Sequence, residues 1–263
     1  MPRFDPHPER RAAVVTGASS GIGAATAEAL AAAGHPVVLG ARRLDRLEQV
    51  ADAIRRAGGD AVALELDLAT PASIETFASR AAAEAGPVDI VVSNAGEVVP
   101  FTTLDADPTE FAASVQINLL GAQRLVAALG PAMVAQGHGD IVFVTSDVTV
   151  RPRTHMAAYV TAKSGLEGMA RAMQMELEGT GVRVGMVRPG PSSTEQGTDW
   201  SEETILHVMP HWSAWGHLRH DGALRPRNVA DAIVAMVSAP KGTHLTLIEV
   251  EPEAPVRDDR SHR

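Results

Sequence analysis

The sequence predicts a single three-layer α/β domain, in which a doubly wound, mostly parallel sheet of about seven strands lies between helices. Three observations predict it. Short apolar runs alternate along the chain with longer stretches of helical period, and strands separated by helices imply right-handed crossovers in a parallel sheet. A glycine-rich turn sits between the first apolar run and the first helical stretch. The chain has 263 residues, 45% of them hydrophobic, which is enough to bury such a sheet on both faces.

Taken in order, Ala12 to Thr16 (AAVVT) reads as a fully buried strand. An alanine-rich helix follows from Ile22 to Ala33 and closes at Gly34. Pro36 to Ala41 is a second strand. Leu44 to Ala57 sets Leu44, Leu47, Val50, Ala51 and Ile54 on one helical face, and Gly58-Gly59 stops it. Ala61 to Leu66 is a strand, Pro71 to Ala85 a helix, and Val88 to Ser93 a strand. One long helix is expected from Pro108 to Leu129. Then come a strand over Ile141 to Thr145, a helix over Ala158 to Leu177 and a strand over Val182 to Val187. A late helix from Val229 to Val237 and a strand from Thr246 to Val250 complete the sheet. Pro191 to Arg227 shows no clean period, and a stretch of that length inside a compact domain is functional or disordered. The expected organisation is a polar extension over 1–11, the α/β domain over 12–250 and a charged, proline-rich tail over 251–263.

Composition narrows the function. A net charge of −9 argues against a nucleic-acid partner, because phosphate backbones call for concentrated positive charge. The absence of cysteine rules out disulfides, cysteine-ligated metal and a cysteine nucleophile, and fits a cytoplasmic location. No apolar stretch of membrane-spanning or signal-peptide type is read, so no membrane partner is expected. Aromatic residues make up 3% of the chain, so the core must be built from Ala, Val, Leu, Ile and Met.

The turn at 16–23 reads TGASSGIG, with Gly17, Gly21 and Gly23 spaced G-x-x-x-G-x-G around Ser19, Ser20 and Ile22. Such a turn lets a pyrophosphate approach the backbone, and the free N–H groups of the next helix face it. In this strand–turn–helix setting it predicts a Rossmann-type dinucleotide site, although a tight turn without ligand has the same glycines. At the end of the second strand, Ala41 stands where an NAD site carries a carboxylate for the ribose, and Arg42 and Arg43 follow. An arginine pairs with a 2′-phosphate, so NADP(H) is expected ahead of NAD(H). The alternative is that both arginines face solvent, Arg43 more so than Arg42.

The motifs together resemble the classical short-chain dehydrogenase/reductase family, from Ala12 to about Val250. TGASSGIG resembles the family's glycine motif, and Asp67, beside Leu68 in LDL, its adenine-contacting acid. Asn94-Ala95-Gly96 resembles its NAG motif, while Asn118, Ser146, Tyr159 and Lys163 resemble its catalytic tetrad. Pro189-Gly190 and Thr194 resemble residues near the nicotinamide. The resemblance implies a homodimer or homotetramer, and it implies that Asn118 supports a proton-relay water. The chain departs from the family's usual serine pair with Thr145-Ser146-Asp147, and it ends without the common glycine-rich strand.

Tyr159 and Lys163 stand four apart on an expected helix and so share a face; Tyr159 is the only tyrosine. A phenol titrates near 10, and a neighbouring ammonium favours its phenolate, which makes an acid or base usable near neutral pH. Tyr159 would exchange a proton with a carbonyl or alcohol oxygen, Ser146 would hydrogen-bond that oxygen, and Lys163 would also bind the nicotinamide ribose. Alone, a Tyr-x-x-x-Lys pair is an ordinary surface feature. The stretch 191–227 holds all three tryptophans and is expected to be a substrate lid. Val148, Trp200, Met209, Trp212 and Trp215 would form an apolar wall for a ketone, aldehyde or secondary alcohol, or else a satellite core. His207, His211, His217 and His220 lie there too, but without a carboxylate pattern no metal is expected. An epimerase or dehydratase, or a non-catalytic NADP-binding regulator, would keep the nucleotide motif.

Overall fold

The structure, a computed structural model, describes residues 7–195, 200–214, 220 and 222–255. The first half runs β1 (Ala12–Thr16), α1 (Gly21–Ala32), β2 (Val37–Ala41), α2 (Leu44–Arg56), β3 (Ala61–Glu65), α3 (Pro71–Ala85) and β4 (Val88–Ser93). The long helical stretch that follows divides into α4 (Pro108–Val115), a π-helical turn (Gln116–Leu120) and α5 (Gly121–Gln136). Next come β5 (Gly139–Val144), a 3-10 turn (Asp147–Thr149), α6 (Ala157–Glu176) and β6 (Val182–Pro189). The chain then forms α7 (Glu202–Ala214), α8 (Pro226–Ser238) and β7 (Leu247–Val250).

The seven strands form one sheet in the order β3-β2-β1-β4-β5-β6-β7, and every neighbouring pair is parallel. The order reverses direction beside β1, so the crossovers leave a crevice between the carboxyl ends of β1 and β4. One face of the sheet packs Phe77, Leu125, Phe143 and Leu166 against α3, α5 and α6. The opposite face packs Leu30, Leu39, Leu47 and Ile233 against α1, α2 and α8. Burial on both faces explains why the strands read as continuous apolar runs.

The structure corrects the sequence reading in four places. The helix expected as one piece from Pro108 is broken by the π-turn around Asn118, and it passes through Pro131 to Gln136. Helix α7 forms where no period was seen. Arg11, assigned to a polar extension, is 3% exposed. By length and composition Pro108–Gln136 is apolar enough to span a bilayer, which the sequence reading missed. In the fold its Leu125, Leu129 and Met133 lie in the core, the setting of an inner helix packed on α3 and the sheet.

The edge of the sheet opposite the crevice is tied by buried charge. Arg11 on the approach to β1 and Arg183 on β6 both bond to Asp140 on β5, Arg183 at 2.7 and 3.0 Å. Arg11 also donates to the Val237 carbonyl at 2.6 Å, and Arg183 to the Ala239 carbonyl at 2.8 Å, which fastens the end of α8. Removing the shared carboxylate strands two cations, one of them fully buried. Asp140→Ala is therefore expected to lower unfolding free energy by about 3–5 kcal/mol in urea titrations, far beyond the effect of an exposed-pair variant such as Asp231→Ala.

Candidate active site

The crevice between β1 and β4 opens into a cleft of about 600 Å³. Every residue assigned above to a dinucleotide lines it except Gly23, and Ser146, Tyr159, Lys163 and Trp212 line it too. Gly23 lies beneath the turn, where an added Cβ would stand 2.3 Å from the Gly17 carbonyl oxygen and 2.7 Å from Asn94 Nδ2. Gly17 and Gly21 take φ values of +68° and +56°, a left-handed turn that brings the start of α1, Gly21 and Ile22, to the wall of the cleft.

The turn is held from below by β4. Asn94 donates its side-chain amide to the Thr16 carbonyl at 2.9 Å, and the Asn94 and Ala95 N–H groups both donate to the Thr16 hydroxyl at 3.0 Å. At the far wall, the Asp67 carboxylate accepts from the Ala69 N–H at 2.9 Å and from the Thr70 hydroxyl at 3.1 Å, fixing the turn after β3. Thr194 approaches the turn from the other side, 3.4 Å from where a Gly21 Cβ would be.

Arg42 and Arg43 are both exposed, but Arg43 is the one that reaches the turn. It donates to the hydroxyls of Ser19 and Ser20 at 3.1 and 2.9 Å, and to Glu195 at 3.0 Å. Arg46 donates to the same Glu195 carboxylate at 2.8 Å. The Arg43 hydrogen bond holds the Glu195 carboxyl below its ordinary pKa, with Arg46 adding to it. Two arginines thus already hold one anionic group here, and the two hydroxyls steady Arg43 beside it. Sequence reasoning missed Arg46, which sits one helical turn after Arg43 and shares its face, and it missed Glu195.

Asn118 occupies the π-turn, 1% exposed. Its amide donates to the carbonyls of Glu97 and Ser114, both at 2.9 Å, and its oxygen accepts from the Glu97 N–H at 3.1 Å. A Cβ on Gly96 would stand 2.6 Å from that oxygen, so only glycine fits where the strand passes the turn. π-Turns inside helices recur at functional sites, and this one carries a polar side chain inward.

Lys163 is 3% exposed and donates to the Val144 carbonyl at 2.9 Å, with Nζ 5.6 Å from the Tyr159 ring centroid. Burial pushes its pKa down to about 8. At pH 7 it therefore remains mostly ammonium, beside the Tyr159 ring. Ser146 caps the 3-10 turn by accepting from the Val148 N–H at 3.4 Å, and its hydroxyl lies 3.3 Å from Asp147. Asp147, the departure from the serine pair, is buried and held by the fork of Arg153, another cleft residue the sequence reading passed over.

Beside Tyr159, Val98, Val148 and Met156 form an apolar patch against which Trp200 and Trp212 pack. The indoles are anchored: Trp200 donates to the Val98 carbonyl at 3.3 Å and Trp212 to the Thr154 carbonyl at 2.8 Å. Met209, expected on this wall, is 37% exposed instead. Only Val208 of α7 is buried, and Met209 stands about 100° round the helix from it. Trp215 and His217 lie outside the described residues.

A family model described as short chain dehydrogenase matches residues 11–204. A glycine betaine reductase of Emericella nidulans is 34% identical over 244 residues; the match takes in 92% of this chain but 19% of that protein, so the chain spans about a fifth of it. A 2,3-dihydro-2,3-dihydroxybenzoate dehydrogenase of Bacillus subtilis is 30% identical, over 91% of this chain and 93% of the relative. Among solved structures, an alcohol dehydrogenase from the archaeon Thermococcus sibiricus, complexed with 5-hydroxy-NADP, superposes with a TM-score of 0.80 at 30% identity, over 95% of this chain and all (100%) of the other.

The Lys163 geometry carries a stability signature. Its pKa is lowered from 10.5 in the unfolded chain to about 8 in the fold, so the fold disfavours the ammonium. The cost is complete below pH 8 and fades as pH rises to 10.5, because the unfolded chain then also gives up its proton. Lys163→Met is expected to gain up to about 3 kcal/mol in unfolding free energy at pH 7. Denaturation series at stepped pH should show that gain shrinking between pH 8 and 10.5.

Proposed function

The chain belongs to the short-chain dehydrogenase family, and we propose that within it the chain is an NADP(H)-dependent oxidoreductase for a moderately apolar ketone or aldehyde, or the matching secondary alcohol. The observation that carries this reading is the pair Tyr159 and Lys163: a buried phenol with a buried ammonium beside it, at the end of a dinucleotide-sized cleft and against an apolar patch. The side-chain-free turn over Gly17, Gly21 and Gly23 suits a pyrophosphate, and Arg43, Arg46, Ser19 and Ser20 suit a 2′-phosphate in place of the Glu195 carboxylate.

When bound, NADPH supplies the hydride. The protein's share is the proton and the charge. Tyr159 donates its phenolic proton to the carbonyl oxygen during reduction and takes the alcohol proton during oxidation. The Ser146 hydroxyl donates to the same oxygen and stabilises the charge that gathers there. Lys163 keeps the phenolate accessible near neutral pH, and in addition offers its ammonium to the ribose hydroxyls. Asn118 holds the strand beyond Gly96 at its distance from Lys163 and supports a proton-relay water. Val98, Val148, Met156, Trp200 and Trp212 exclude water from the reacting carbon and select an apolar substituent. The stretch 191–227 acts as the lid that carries the two indoles, and copies of the chain associate as a dimer or tetramer.

NADPH and NADH oxidation against a panel of ketones, aldehydes, diketones and quinones tests the reading. NADPH-dependent turnover should fall by about 100-fold or more in Tyr159→Phe, with cofactor affinity kept; turnover that survives that change removes the proposed acid. A second test concerns cofactor choice. Arg43→Leu should weaken NADPH binding roughly 10- to 100-fold, the worth of a charge-assisted contact, and leave NADH binding unchanged. Equal losses for the two cofactors would place Arg43 away from the 2′-phosphate.

A further inference from the structure

Three histidines converge at the lid, where none was expected to act together. His207 and His211 stand four apart on α7 and project from one face. His155 comes from the segment just before α6, some fifty residues earlier in the chain. A ring nitrogen from each of the three lies within 4.8 Å of the others. Ring centroids are 5.0 Å apart for His155 and His207, 5.0 Å for His155 and His211, and 5.6 Å for His207 and His211. The Nδ1 of His155 is buried and has no hydrogen-bond partner among the described residues, a costly state for a ring nitrogen that a bound cation would relieve. His155 also takes φ +61°, the one non-glycine residue with positive φ among those described, so the backbone departs from its ordinary region where this ring is placed.

We propose that His155, His207 and His211 form a site for a divalent transition-metal ion of the zinc type. Three imidazoles and no carboxylate select borderline metals over magnesium or calcium. Metal–nitrogen bonds of 2.0–2.1 Å set the nitrogens of a tetrahedral site roughly 3.3 Å apart, which small rotations of the two exposed α7 side chains would reach. The exposed side of the cluster leaves the fourth position to water. Arg153, the neighbouring cation, does not oppose this, because its fork is already engaged by Asp147. The consequence is mechanical. Bound metal ties α7 to the segment leading into α6, and Trp212, next to His211, is thereby held against the patch that contains Tyr159. The ion stabilises the lid and takes no part in the reaction, so the site stands independently of the oxidoreductase reading.

The test uses tag-free protein, cleared of metal with a chelator and titrated with Co²⁺. Expected is one ion per chain, with the visible absorption of tetrahedral cobalt, displaced by Zn²⁺. His155→Asn, His207→Gln and His211→Gln should each weaken binding by at least about 100-fold, with far-ultraviolet circular dichroism unchanged; asparagine is chosen at 155 because it tolerates the left-handed backbone. Zinc should also slow amide exchange in α7. Absence of saturable binding overturns the proposal. So does affinity unchanged in His155→Asn, which would mean that the α7 pair alone takes up the ion as an exposed surface site.

Discussion

The tie between Asn94 and Thr16 joins the carboxyl ends of β1 and β4, and the geometry of the cleft follows from it. On one side it fixes the turn from Gly17 to Gly23, because Gly17 and Gly23 pack directly on Asn94 and Ala95. On the other side it directs the chain through Gly96 to Glu97, whose backbone is held at both ends by Asn118. Asn118 in turn stands in a π-turn between two helices, and Lys163 lies just across Gly96. A series of short contacts therefore runs from the glycine turn to the buried ammonium of Lys163. The cleft is pre-organised by hydrogen bonds between polar side chains and backbone groups, which suits a chain so poor in aromatics.

Much of this was legible in the sequence, for physical reasons. A strand buried on both faces has to be apolar throughout, so β1 and β4 could be placed at their observed limits from residue type alone. The glycine turn and the Tyr159–Lys163 pair were legible as patterns because local spacing alone defines them. What escaped depends on geometry that spacing does not encode. An α-turn and a π-turn bury nearly the same residues, so the break at Asn118 left no mark in the pattern. Helix α7 contains Pro210 and buries only Val208, so its period was faint. Arg43 and Arg42 are neighbours of the same type, and only the course of the chain after β2 decides which reaches Ser19. His155 meets His207 and His211 through tertiary folding alone.

The two ends of the sheet are held by different physics. The cleft end relies on glycines, backbone groups and one buried ammonium bonded to a carbonyl, an arrangement that costs stability and leaves the cleft open. The opposite end uses a charge network in which Arg11, Asp140 and Arg183 satisfy one another and the end of α8. Beside the cleft, Arg188 and Glu167 form a second buried pair: burial alone would raise the Glu167 pKa, but hydrogen bonds from Arg188 and Thr149 outweigh it and hold the carboxyl ionised. That pair links α6, which carries Tyr159, to β6, so the helix is braced against the sheet.

The strand order also sets a timetable for synthesis. Of the seven strands β1 is synthesised first, yet it ends inside the sheet, with β2 on one side and β4 on the other. At translation speeds of about 5–20 residues per second, β1, β2 and β3 wait for several seconds with one apolar edge uncovered before β4 emerges to close it. The nascent chain is therefore most open to mispairing while the glycine turn is already synthesised but not yet tied to Asn94, and factors that shield strand edges during translation have most to offer this protein in that interval.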